Sequence, residues 1–416
     1  MTNIINEQHI RLKKVRNGKI MKRNLQIVLI FILVFVGFQA YNHHKYTLAV
    51  YIDDVRQEKI PLKNTGYYFD KAVCDNEVGL EWDNVKWGVK IYNLQRRTKC
   101  NLYFKTDEIV KKIITSLDTT GKCPVVRENN YVTISSMENT NSLVCSVPDN
   151  YGTSYYYRGN VTNNYVKFAG YYWRILRING DGSIRLVYDG KTAHQNGESS
   201  TDRIIGKSAF NSKDDDNAYI GYMYGTVGST TYEKTHANIN DSEIKKMVDN
   251  WYKSNILGTG NEQYLNDTLF CNYKTMMSGK GYSKEKTQYY GYWGDNVLIC
   301  PRNDSFTVVE GINGNGALTY PIGLLTRTEA LLAGGYQTSN KNYYLYDGSG
   351  TWLLTPVDAF NDAQTARNSD LTSDGVPYGT GCSTVTCSLG VKPVINLKPG
   401  TLKLGNGTMS DPYQIN

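Results

Sequence analysis

A basic amino terminus running straight into an apolar stretch constrains this chain more than any other feature. Met1 to Asn24 holds seven basic residues, Arg11, Lys13, Lys14, Arg16, Lys19, Lys22 and Arg23, against the single acid Glu7. The apolar run Leu25 to Ala40 follows, with an unbroken core from Ile27 to Phe38. A basic flank ahead of a hydrophobic helix holds the amino terminus in the cytoplasm. Everything past residue 41 is then expected outside the cell. Leu25–Tyr41 is 17 residues, the shortest length that spans a bilayer. Cleavage after Ala40 would put the bulky Phe38 where a signal peptidase needs a small residue. An uncleaved signal-anchor is therefore the preferred reading and a cleaved signal the alternative. Met21 offers a second start that would shorten the tail and leave the exported reading intact.

Charge follows the same division. The chain carries +7, of which the first 24 residues supply +6, so about +1 remains for the other 392. That is no basic footprint for nucleic acid. Eight cysteines, Cys74, Cys100, Cys123, Cys145, Cys271, Cys300, Cys382 and Cys387, all follow the apolar run. An even set on the exported side reads as disulfides, with neighbours paired. The absence of any C-x-x-C pair argues against structural zinc.

Period-two alternation marks strands around Tyr46–Ile52 and Val85–Ile91. They suggest a small β-sandwich over residues 45–105, stapled by Cys74–Cys100 and serving as a spacer. Thr106 to Leu117 reads as a connector helix capped by Thr106, leading to a Cys123–Cys145 staple within residues 106–148. Tyr171–Ile178 and Ser183–Tyr188 flank Asn179-Gly180-Asp181-Gly182, a hairpin signal. The same turn lacks the glycine and glutamate of a calcium loop, so a plain turn is expected. Asn240 with Glu243 predicts a helix to Leu257 with the stripe Ile244, Met247, Val248, Trp251. Thr326 and Glu329 make a second capping box, closed by Gly334.

Leu325-Thr326-Arg327-Thr328-Glu329-Ala330-Leu331-Leu332-Ala333-Gly334-Gly335, then Trp352-Leu353-Leu354-Thr355-Pro356, then Gly390-Val391-Lys392-Pro393-Val394-Ile395-Asn396-Leu397 resemble the sulfatase-modifying-factor and C-type-lectin-like group. The stretches 155–161, 168–183 and 405–413 resemble exported bacterial proteins carrying that domain. The resemblance covers residues 149–416. It implies a C-type-lectin-like, formylglycine-generating-enzyme-like, loop-rich domain there, so the expected class for the chain is α+β: an N-terminal transmembrane helix, a small disulfide-stapled β-sandwich, then that domain.

The catalytic branch of that group is a copper-dependent oxidase with a cysteine pair near Arg-Gly-Gly-Ser. Cys382 and Cys387 stand here without that motif, which favours loop closure over a metal site. Of the five histidines, His9, His43, His44, His194 and His236, His194 lies in a polar loop, where a lone surface side chain is the common case and pairing with Asp189 or Glu198 the alternative. No zinc-protease, nucleophile-elbow or phosphate-loop pattern occurs. The expectation is a non-enzymatic, membrane-anchored, extracellular ligand-binding protein without a cofactor. An oxidase and a structural envelope protein are the alternatives. In the resembled group variation concentrates near the carboxy terminus, and recognition loops favour Tyr, Asn, Ser and Gly. The segment Trp352–Tyr378 is thus the expected site. Its candidate ligand contacts are Trp352, Asp358, Phe360, Asn361 and Asp362, followed by Arg367, Asn368, Asp370 and Tyr378. The expected partners are a protein or glycan ligand and the membrane at Leu25–Tyr41.

Overall fold

A computed structural model describes residues 46–93, 98–127, 132–133, 142–277, 286–293, 298–336, 339–360, 365–371, 377 and 384–415. Strands β1 (Tyr46–Ile52), β2 (Val55–Gln57), β3 (Tyr67–Cys74), β4 (Gly79–Asp83), β5 (Gly88–Tyr92) and β6 (Thr98–Thr106) come first. Four of them form a sheet in the order β2-β1-β6-β3, while β4 and β5 pair only with each other. Along β6, Cys100, Leu102 and Phe104 are buried and their neighbours are not, the period of two that a half-buried strand requires. The β4–β5 hairpin closes that face with aromatic rings. Trp82 stacks on Phe69 at 4.9 Å and meets Phe104 edge-on at 5.1 Å. This is one sheet with a hairpin across it, not the expected sandwich. Cys74 and Cys100 are register partners and are joined by a disulfide.

Helix α1 (Glu108–Thr115) is capped by Asp107, not Thr106: Asp107 accepts from Val110 N at 3.0 Å. The Thr106 hydroxyl is already committed, donating to Asp53. Asp107 also accepts from Gly400 N at 2.7 Å, and Ile109, Val110 and Ile113 join the main core. Lys63 Nζ donates to Val85 O and to Tyr151 O. The amino-terminal sheet and the rest of the chain therefore share contacts on both sides of α1.

The main sheet holds β7 (Leu143–Asp149), β8 (Gly152–Arg158), β9 (Tyr165–Phe168), β10 (Tyr171–Ile178), β11 (Ile184–Gly190), β12 (Ile322–Leu324) and β13 (Pro393–Leu397). Its order is β12-β13-β11-β10-β8-β7, with β9 also paired to β10. β10 and β11 are the expected hairpin. Asn179 N donates to Ser183 O, and Gly182 takes the positive φ that the turn demands. Asp181 spends its oxygens on Ser183, Asn266 and Thr268, so the segment is a turn. β13 lies between β11 and β12 and is buried throughout, with Pro393 at its first position.

Helix α2 (Glu243–Asn255) packs Ile244, Val248 and Tyr252 against this sheet, and Trp251 meets Tyr188 edge-on at 5.7 Å. Its cap is Ser242, because Asn240 sits in a short ladder with Tyr224 and donates to Gly225 O. Helix α3 (Arg327–Ala333) keeps the full Thr326–Glu329 capping box, and Gly334 follows with φ of 131°.

A second, five-stranded sheet runs Lys207–Ser208, Leu389–Gly390, Thr351–Phe360, Lys286–Gln288, with Thr365–Leu371 also on Thr351–Phe360. The expected α+β class gives way to a mostly β chain with few helices and several small sheets. The cause is the sequence pattern after residue 45: short alternating runs rich in tyrosine, broken by glycine turns, with few amphipathic stretches long enough for a long helix among the described residues. The lectin-like domain goes with that class. The expected membrane span, Leu25–Tyr41, lies outside the described residues, and among those described no helix is long and apolar enough to cross a membrane. The transmembrane helix is therefore withdrawn from the architecture.

Disulfides join Cys74–Cys100, Cys123–Cys145 and Cys271–Cys300, the neighbour pairing expected. Cys387 is also disulfide-bonded, which removes it as a ready thiolate for copper. Cys382 lies outside the described residues.

Candidate functional site

Two buried charge networks brace the main domain, and they have different consequences for its surface. In the first, the β10–β11 ladder sets Arg177 directly opposite Arg185. Two buried guanidiniums cannot share a site uncompensated. Glu329, from the capping box of α3, lies between them, with Oε1 at 3.3 Å from Arg177 Nε and 2.5 Å from Arg185 Nε. Asp149 takes the other side of Arg177 at 2.9 Å. Burial alone would push the Glu329 carboxyl up, but Arg185 and Arg177 hold it below the usual range. The adjoining cavity of ≈ 30 Å³ has room for water and not for a ligand. This network is structural.

The second network lies under the loop 191–203. Arg203 is fully buried and donates to Asp189 Oδ1 through Nε (3.0 Å) and Nη2 (2.5 Å), and to Glu198 O through Nη1 (2.6 Å). Arg203 Nε also lies 3.8 Å from Asp347, which accepts from Lys392 Nζ and from Ser349 N. Burial raises Asp347, and Lys392 and Arg203 more than reverse this. The loop 191–203 and the turn 347–350 are thereby fixed to one another.

His194 belongs to the same loop and is buried, not a lone surface side chain. Its Nδ1 is 2.8 Å from Glu198 Oε1, the neighbour expected from sequence, and its Nε2 is 2.8 Å from Asp202 Oδ1. Asp189 goes to Arg203 instead. Ser200 donates to Asp202 at 2.5 Å, not to His194, so the chain of contacts does not activate a serine nucleophile. Burial works against the Asp202 carboxylate, yet bonds from Ser200 and Lys191 N and the nearby His194 hold its pKa at about 2. The sign follows. An unfolded aspartate titrates near pH ~3.9, so Asp202 stabilises the fold fully above that value. The contribution is lost as pH falls through about 2. Asp202→Asn should therefore flatten the acid limb of the stability profile between about pH 4 and pH 2, read by equilibrium unfolding.

Above this braced floor lies a groove of ≈ 300 Å³ lined by Ser199, Ser200, Thr201, Ile204, Lys207, Gly348, Ser349, Gly350, Ser388 and Leu389. That is the size range of small-ligand sites. Three segments distant in sequence meet here because Lys207–Ser208 pairs with Leu389–Gly390, and Gly390 N donates to Gly350 O at 2.9 Å. Among the described residues, the side chains of Ser199, Thr201, Lys207, Ser349 and Ser388 make no hydrogen bond or ion pair. Ser200 alone has spent its proton, on Asp202. Gly348, at φ +72°, and Gly350 line the groove without side chains.

None of the described residues expected from sequence is among those lining the groove. Trp352 is 1% exposed, packs edge-on against Phe210 at 5.4 Å and donates from its indole to Ser208 O at 2.9 Å. Asp358 is buried in the same strand, Thr351–Phe360, which Phe360 ends. Arg367, Asn368 and Asp370 lie on the partner strand, in register with Asp358, Pro356 and Trp352. Asn361, Asp362 and Tyr378 fall outside the described residues. The groove residues escaped sequence reasoning because Ser199-Ser200-Thr201 and Gly348-Ser349-Gly350 read only as turns. Their one signal is hydroxyl and glycine density without apolar periodicity. No protein-family model matches the chain, and no curated protein or solved structure is significantly similar to it.

Proposed function

We propose that this is an exported, non-enzymatic recognition protein that seats a small polar ligand in the groove between residues 199–207, 348–350 and 388–389. One observation carries the reading: an open, ligand-sized groove where an unpaired ammonium and four uncommitted hydroxyls converge on a braced floor. The disulfides support an oxidising compartment, as does the basic, apolar amino terminus. A groove already fixed by Arg203 and Asp347 loses little side-chain freedom on binding, which favours affinity.

Capture from an array of soluble oligosaccharides by the full chain tests this. Ser388→Trp, an exposed change that fills the groove, should abolish capture while thermal unfolding stays nearly unchanged. Capture that survives this substitution places the ligand elsewhere. Failure to capture any sugar favours a structural role in the envelope.

A further inference from the structure

The groove also specifies a chemical class of ligand. Resting on the binding role just proposed, we infer that the ligand is a carboxylated sugar, with its anionic group against Lys207. Ser199, Thr201, Ser349 and Ser388 each offer one donor and two acceptors, which is the hydrogen-bonding inventory of a polyol. Ile204 and Leu389 supply the apolar surface for the C–H face of a sugar ring. The absence of side chains at Gly348 and Gly350 lets such a ring approach closely.

Charge narrows the class further. Among the described residues Lys207 is the one cation lining the groove, and it is exposed. Two carboxylates of the floor are committed. Asp202 is held by Ser200, Lys191 N and His194. Asp347 is held by Lys392, Arg203 and Ser349 N. An unopposed single charge suits one carboxylate of the sugar. A phosphate monoester carries about −1.5 to −2 charges at pH 7, more than one lysine neutralises, so a carboxylate fits this site better.

The test is calorimetric titration of the full chain with tetragalacturonate and with the same tetrasaccharide after its carboxylates are reduced to hydroxymethyl groups. At low salt the acidic form should bind about fivefold more tightly, the worth of an exposed ion pair of ~1 kcal/mol. Lys207→Ala should erase that preference and Lys207→Arg should keep it. Lys207 is held in its strand by backbone pairing to Gly390, so neither variant should move thermal unfolding. Equal binding of both sugars, insensitive to Lys207→Ala but lost in Ser388→Trp, overturns the carboxylate inference and leaves the groove as the site. Binding of neither sugar, or binding that survives Ser388→Trp, overturns both.

Discussion

Glu329→Ala should destabilise the protein by about 3–5 kcal/mol, measured by denaturant unfolding, because it strands two buried guanidiniums face to face. Arg177 and Arg185 are register partners on neighbouring strands, and Glu329 Oε1 lies within 3.3 Å of both. Asp149 remains for Arg177, but Arg185 has no second carboxylate among its ion pairs with the described residues. The same side chain closes the cap of α3, where Oε2 accepts from Thr326 N at 2.9 Å. Thr326→Ala separates the two roles, since loss of a cap alone costs about 1 kcal/mol. Glu329→Gln keeps an acceptor for the cap and loses the charge, so it should track the alanine variant more closely than Thr326→Ala does. The pH dependence has a sign. Glu329 is held below its ordinary range, so its stabilisation is present above the unfolded glutamate value and lost as pH falls through the folded one.

Trp352→Ala should cost about 3–5 kcal/mol as a large-to-small core change. The indole is 1% exposed, packs on Phe210, and is the donor to Ser208 O. Ser208 sits beside Lys207 in the strand that walls the groove, so the substitution also loosens one groove wall. Trp352→Phe should retain most of the packing and lose the hydrogen bond, at about 1–3 kcal/mol for the orphaned carbonyl. Were Trp352 an exposed ligand contact, alanine would leave the unfolding midpoint within about 0.5 kcal/mol of wild type.

Those two residues also show where sequence was informative. The Thr326–Glu329 box was legible because capping chemistry is local, four residues long and follows a fixed offset. The β10–β11 hairpin was legible for the same reason, with Asn-Gly and Asp-Gly between two apolar runs. Three of the four neighbouring cysteine pairs are joined as expected, because each closes a short segment of one unit, and the fourth includes Cys382, outside the described residues. What sequence hid was the second use of each local signal. Nothing near Glu329 says that its other oxygen neutralises two arginines some 150 residues upstream, a contact made by sheet register. Caps slipped by one or two residues where the expected side chain had another partner, Asp53 for Thr106 and Gly225 O for Asn240. The α+β class failed because short helices are easier to read than the strands that outnumber them. Trp352–Tyr378 has the composition of a recognition loop, yet most of it pairs as two strands, because Thr351-Trp352-Leu353-Leu354-Thr355 is also a β-forming run. The groove could not be read at all, since its three segments meet only through strand pairing.

Hydroxyl-radical footprinting of the full chain, with and without tetragalacturonate, tests the central claim most directly. Protection is expected at residues 199–207, 348–350 and 388–389, with Trp352 unlabelled in both states because it is already buried. Protection confined to residues 360–378, with the groove labelled equally in both states, would contradict it.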